Sequence, residues 1–374
     1  LPLTPDSDLS IAFRLAVRTI ASESQFGRFS LQANQAAPLN VFVPLAWIQQ
    51  KIGHAGEANL LLVGSNPKRV LTQAEATEAI EKHWQLADMG LELRRLEGQG
   101  VLEVRSKQVF IDESLGQSTM NAADGAVGIL TYFVNELRRG EKATPYSMVT
   151  AMGPSPQAGG IIPADMQDEE ILINQWLADD LGAAPGDSLE LSYYVLTTMR
   201  NLQECKSRFR VRAVLPMAPP AVDPELMPDF PGLAGVKNCR DWDAGIPINL
   251  DEIRKSDEDY WDAYRGTPKA FVTLKAGRQM WANRYGNLTA VRYPAGNVSA
   301  PDVADKLLKT VDPASAGLFF QPVRDRGQKA ASGTTDFGQL FLGLSMFLII
   351  AVLILMGLVF AFGVESRSGQ IGML

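Results

Sequence analysis

Histidine and cysteine are scarce: the 374 residues contain two of each. His54 and His83 stand in no metal-ligand spacing such as H-E-x-x-H, and neither has a cysteine nearby, so both read as structural residues. The chain has no G-x-x-x-x-G-K-[ST] loop to cradle a nucleotide phosphate and no G-x-S-x-G elbow to carry a nucleophile. Gly153-Pro154-Ser155 and Gly159-Gly160 are turn chemistry, because no strand–helix frame surrounds them. An excess of positive charge is also missing. With 35 Lys+Arg against 42 Asp+Glu, the net charge of −7 gives no electrostatic reason to bind nucleic acid and no general attraction to anionic lipid. Cys205 and Cys239 leave two readings open, a disulfide or two buried thiols, and so do not define a compartment. Leu1–Ser10 lacks the basic start, apolar stretch and small-residue cleavage site of a signal peptide. The first residue is not Met and the last stops inside what reads as a continuing segment, so the expectation is a piece of a longer protein.

Carboxylates are plentiful, at Asp179-Asp180, Asp241, Asp243 and Asp257–Asp259. Carboxylates close in space can do acid–base work. In an acidic domain they read first as a solvated face or as helix caps. Trp242, Tyr260, Trp261 and Tyr264 stand among them, and such a cluster could hold a sugar or a cation. Its expected role is to anchor a loop to the domain.

Charge is missing altogether from Phe337 to Val364. Seventeen of the 25 residues from Leu340 to Val364 are Leu, Ile, Phe or Val. As a helix this stretch reaches roughly 37 Å, against roughly 30 Å of hydrocarbon. Insertion is favoured by roughly 5–10 kcal/mol. The spacing predicts a transmembrane helix over 337–364. Gly357 and Ala361 are four apart, the small-xxx-small spacing that lets helix backbones approach, and they are the helix-packing candidates. Arg324, Arg326 and Lys329 precede the helix and Arg367 follows it, which leaves sidedness open.

The rest of the chain reads as α+β. Helices are expected at Ser7–Glu23, from Leu45 to Lys51, at Thr72–Asp88, as EEILINQWLADDL over Glu169–Leu181, near Gly277–Gly286 and at Ser299–Val311. Strands are expected at Asn40–Pro44, Ala58–Gly64, Leu91–Leu96, Val101–Ile111, Tyr146–Met152, Ser188–Leu196, Phe209–Leu215, Lys269–Leu274 and Leu288–Tyr293. Gly125–Arg139 reads as helical or mixed, and the Pro-rich Pro216–Gly235 as a surface excursion. The mixture lacks strict βαβ alternation, which disfavours a doubly wound sheet.

The tail after the helix, Glu365-Ser366-Arg367-Ser368-Gly369-Gln370-Ile371-Gly372-Met373-Leu374, resembles the E-x-R-x-x-[EQ]-I-G-x-L segment of MacB/FtsX-like permeases, the membrane subunits of ABC transporters. FGRFSLQANQAAPLNVFVPLAWIQ (Phe26–Gln49), TPYSMV (Thr144–Val149), ILINQWLADDLGAAPGDSLEL (Ile171–Leu191), TPKAFVTL (Thr267–Leu274) and TTDFGQLF (Thr334–Phe341) carry the resemblance along the chain. Ser366 and Gly369 stand where charged residues are common in that family. The resemblance implies a layout of residues 1–335 as an extracytoplasmic MacB-like core domain in two subdomains, 337–364 as a membrane helix, and 365–374 as the start of a cytoplasmic coupling segment. Glu365, Arg367, Gln370, Ile371 and Gly372 would carry the coupling motif. It implies further membrane helices, a multi-pass place in the bacterial inner membrane, a dimer and an ABC ATPase subunit as partner. ATP would bind that partner, so this chain would need no cofactor or metal and would not itself be an enzyme. Export, lipoprotein handling and envelope signalling all fit. Two other readings stand beside it: a single-pass extracytoplasmic binding or adaptor protein with a cleft near Trp242 and Trp261, and a membrane-anchored hydrolase.

Overall fold

The computed structural model describes residues 12–31, 36, 38–64, 71–154, 160–197, 201–243, 245–294, 296, 298–332 and 337–371. In chain order the helices are α1 (Leu45–Lys51), α2 (Gln73–His83), α3 (Glu113–Met120), α4 (Gln175–Leu181), α5 (Lys255–Tyr264), α6 (Leu274–Trp281), α7 (Ala300–Thr310), α8 (Val323–Ser332) and α9 (Phe337–Ile371). The strands are β1 (Leu91–Leu96), β2 (Val101–Ser106), β3 (Val127–Arg139), β4 (Lys142–Met152), β5 (Glu170–Asn174), β6 (Ser188–Leu196), β7 (Leu202–Leu215), β8 (Ala270–Thr273) and β9 (Ala290–Pro294). The protein is an α+β domain followed by a long apolar helix, as the sequence predicts. Packing divides the chain into two units: Leu1–Arg14 with Thr77–Phe319, and Leu15–Ala76 with Phe320–Leu374.

The first unit is built on one nine-stranded sheet, ordered β1-β2-β9-β3-β4-β8-β5-β7-β6, in which β3 also pairs with β6. Six strands therefore close on themselves, and β9, β2 and β1 continue outward from β3. Only β4–β8 and β5–β7 run parallel. The closure depends on the length of β3. Its first residues, Val127–Ile129, pair with β9, while Glu136–Arg138 pair with β6 on the same edge.

Of Gly125–Arg139, read as helical or mixed, Val127–Arg139 is thus strand. Valine, isoleucine, threonine and aromatic residues dominate it, and its first nine strand residues are all buried. A strand covered on both faces reads as a continuous apolar run, so the period-2 signal vanishes. The same ambiguity explains the second correction. Of the helix expected over Glu169–Leu181, Glu170–Asn174 is the strand β5, and only α4 is helical. Ile171, Leu172 and Ile173 lie between β7 and β8. Asn174 ends the strand, and its side chain accepts from the Leu177 N–H at 2.9 Å to cap α4. Gly182 closes α4 at φ 62°, a left-handed conformation that glycine adopts without a Cβ penalty.

Pro216–Gly235 is not a surface excursion. Ala221, Leu226, Phe230 and Leu233 are all buried, so this strap supplies core. An ion network holds it down. Arg292 on β9 donates to Glu103 of β2 at 2.7 Å and to Asp223 of the strap at 2.5 Å. Arg94 on β1 binds the same Glu103 at 2.7 Å and Glu225 of the strap at 2.7 Å. Val101–Ile111 keeps its strand only to Ser106; Ile111 forms an isolated bridge to Leu288.

In the second unit, α1 forms as expected, and Thr72 and Glu75 cap the start of α2 reciprocally, at 3.2 and 2.9 Å. Three other expectations fail. Residues 12–22 of the Ser7–Glu23 helix are irregular, Asn40–Pro44 is no strand, and neither is Ala58–Gly64. Residues 7–11 lie outside the described residues. Apolar periodicity becomes structure only against a partner surface or strand. Here Val17, Ile20, Val41 and Leu61 are exposed.

Candidate functional site: the apolar helix and the charged interior of the domain

The uncharged stretch and the tail as far as Ile371 form one unbroken helix, α9, of 35 residues. At 1.5 Å per residue it is roughly 52 Å long, so it crosses roughly 30 Å of hydrocarbon with turns to spare. Residues 338–369 have the length and composition of a membrane span, and none of that surface is buried. A soluble core helix of the same composition would be covered. Gly357 and Ala361 lie one turn apart on α9, and a Cβ built on Gly357 meets nothing within 4 Å. Glu365 and Arg367 lie inside the helix rather than beyond it, both exposed. Ser366 donates to the Gly363 carbonyl at 3.1 Å and Ser368 to the Glu365 carbonyl at 2.7 Å, which satisfies their hydroxyls on the helix itself. Gln370 and Ile371 are in the last helical turn, and Gly372 lies outside the described residues.

The domain has its own chemistry, which the sequence hardly signals. Lys269, just before β8, is fully buried, 3.5 Å from Asp257 and 4.2 and 4.9 Å from the ring centres of Trp176 and Tyr260. Burial pushes its ammonium down to about 8, against the attraction of Asp257. Burial would raise Asp257, but hydrogen bonds from Arg254 and the charge of Lys269 prevail and hold it low. Arg254 also donates to both oxygens of Asp180, at 3.0 and 2.7 Å, and Thr144 donates to Asp180 at 2.5 Å. Two of the sequence-noted carboxylates are thus brought together around an arginine. Asp179 instead accepts from Gln175 and Asp241 from Asn238. The cavity beside Lys269 is about 20 Å³, room for one water. Cys239 borders it, its thiol pushed up to about 12 by burial, which makes it a poor nucleophile. Both cysteines are free thiols.

The four noted aromatics pack as loop anchors. Trp242 meets Trp261 edge-on at 5.0 Å and Phe133 at 5.7 Å, and Tyr260 meets Tyr264 at 5.2 Å. His54 bonds Glu57 at 2.8 Å on the surface. Among the described residues no group of three His, Cys, Asp or Glu side chains could hold a metal. A groove of about 670 Å³ opens where the parallel strands β4 and β8 end, between Met152, Ile162, Met166 and Arg278. Asp168 closes one side, bound to Lys275 at 2.6 Å and to Thr273 at 2.7 Å.

No family model matches the chain, and no curated protein matches it. Among solved structures it is similar to the periplasmic region of MacB from Actinobacillus actinomycetemcomitans, with a TM-score of 0.32 and 10% identity, over 67% of this chain and 97% of that one. A likeness this distant identifies neither a family nor an activity.

Proposed function

We propose that the chain is part of a membrane permease subunit of the MacB/FtsX-like ABC transporter type. The observation that supports it most is α9: an uncharged helix, uncovered on every side, that runs without a break into the polar segment bearing Glu365 and Arg367. In this reading residues 1–335 lie outside the cytoplasm and Glu365 onward lies inside. ATP binds a partner ATPase, and this chain has no catalytic residue and binds no cofactor. Nucleotide-driven motion at the cytoplasmic end of α9 is carried through the bilayer by a helix that is stiff because its backbone groups, apart from those of the terminal turns, are hydrogen-bonded within the helix. Transmission of this kind needs two arrangements of the helices that nucleotide biases differently. Gly357 and Ala361 would give neighbouring helices a close approach. The polar, helical tail would meet the ATPase.

The test is in vivo photo-crosslinking from position 368 in the native membrane, combined with impermeant thiol labelling of Ser315→Cys and Ser368→Cys in a Cys205→Ser background. The expected result is an adduct with a P-loop ATPase, labelling of residue 315 in intact spheroplasts, and labelling of residue 368 only after permeabilisation. Labelling of residue 368 only after permeabilisation, with no ATPase adduct, would leave the single-pass adaptor as the better reading, and labelling of both positions from outside would mean that α9 does not cross the membrane and would overturn both.

A further inference from the structure

A second groove, of about 590 Å³, is lined by four cations and two carboxylates, in a protein whose overall charge is −7. The cations are Arg94, Arg105, Lys237 and Arg265. Two of them are already neutralised: Arg94 by Glu103 and Glu225, and Arg105 by Asp229 and Glu92. Lys237 and Arg265 have no carboxylate within ion-pair distance among the described residues, and both are exposed. The Arg265 guanidinium is steered toward the strap by one hydrogen bond, to the Lys237 carbonyl at 3.2 Å. Both free cations line the same groove.

The backbone gives a separate reason to notice Arg265. It follows α5 at φ 52°, ψ −137°, a conformation that strains any residue with a Cβ. Glycine is the usual solution just past a helix end, and a glycine is the very next residue. Gly266 is spent on another constraint: a Cβ there would lie 2.0 Å from Met227 Sδ. The chain thus keeps an arginine in a glycine-type conformation on the wall of a groove. The floor beside it is apolar and fixed. Trp261 is buried, and its ring N–H donates to the Val236 carbonyl at 3.2 Å, tying the floor to the strap.

We propose that this groove binds a small organic anion, a phosphate or carboxylate group held by Arg265 and Lys237 with its apolar body resting on Trp261 and Met227. The volume is that of a small-molecule site. Guanidinium and ammonium together suit an oxyanion, because charge-assisted hydrogen bonds are the strong ones. The proposal does not depend on the permease reading.

The test uses the full chain in detergent and phenyl phosphate as probe, followed by calorimetry at low salt. Saturable 1:1 binding is expected, tighter than that of inorganic phosphate because of the ring, and weaker as salt screens the charges. Arg265→Gly should weaken binding by about tenfold, the range of one charge-assisted contact. Because it relieves the backbone, it should also raise the melting temperature, which separates lost binding from lost fold. Lys237→Gln should weaken binding with the melting temperature unchanged. Arg284→Gln removes a cation that instead faces Tyr285, at 5.0 Å, and should leave binding as it was. Absence of saturable binding overturns the proposal. So does equal weakening by Arg284→Gln, and so does binding of a hexaglutamate peptide when phenyl phosphate fails, which would make the groove an acidic-peptide face.

Discussion

Strand β3 and helix α9 are both long apolar runs, and they have opposite fates. The first nine residues of β3 are buried, whereas α9 from 338 to 369 is covered nowhere. The presence of a long run of apolar residues does not by itself separate them. The polar residues do. β3 contains Thr131, Asn135 and Glu136, and each has a use: Thr131 shares a hydrogen bond with Thr150 at 2.7 Å, Asn135 donates to Glu204 at 3.0 Å, and Glu136 binds Arg138. A protein interior supplies partners for polar groups, so an interior strand can carry them. A bilayer supplies none, and α9 has no charged group between Phe337 and Val364.

One charge placed in each region should break the comparison most sharply. Val134→Asp puts a carboxylate at a fully buried site in the core that also holds Leu137, Val149 and Phe133. An unpaired buried charge costs more than about 4 kcal/mol, a large part of the stability of an ordinary domain. The expected outcome is loss of cooperative unfolding of the domain while the chain remains in the membrane fraction. Leu353→Asp, near the middle of α9, should do the reverse. Insertion weakens by about 3–4 kcal/mol, and carbonate extraction should release more chain from membranes. Unfolding of the domain, followed by near-UV circular dichroism, should not change. If Leu353→Asp unfolded the domain and left membrane retention intact, α9 would have to be a core helix.

The same contrast explains what the sequence discloses. α9 is legible at once, because 28 uncharged residues can mean little else. The exposed or half-covered elements α7 and β6 are legible too, since a Ser299 cap and a Pro185-Gly186-Asp187 turn mark their starts. β3 and β5 are misread because burial on both faces erases the alternation that identifies a strand. The strap over 216–235 is misread because its proline content masks the anchors Leu226, Phe230 and Leu233. The charged interior is nearly invisible. Lys269 is 12 residues from Asp257 and 89 from Asp180, and only the closed sheet brings the three around Arg254. Arg265 carries no signal in sequence beyond standing before a glycine.

Lys269 permits a finer comparison, between a charge the interior holds and the charges the bilayer helix lacks. Its folded-state pKa is about 8, below the ordinary lysine value of 10.5. Below pH 8 the ammonium is charged in both states, and its burial weakens the fold by a constant amount. Between 8 and 10.5 the unfolded chain holds a proton that the folded one has released. Stability therefore rises with pH across that window, at about 1.4 kcal/mol per unit. Tyr132 and Tyr260 act in the opposite sense at the upper end. Burial raises both hydroxyls, so only the unfolded chain ionises there, and this contribution falls from about pH 10 upward. Measurements from pH 7.5 to 9.5 avoid it. Lys269→Met keeps the stem between Trp176 and Tyr260 and removes the titration, while Arg254 continues to bind Asp257. Urea unfolding of the wild type should gain about 1–2 kcal/mol relative to Lys269→Met across that range. Parallel curves would mean that water reaches Lys269 as freely as it reaches a surface lysine, and that the interior tolerates the charge by solvating it rather than by pairing it.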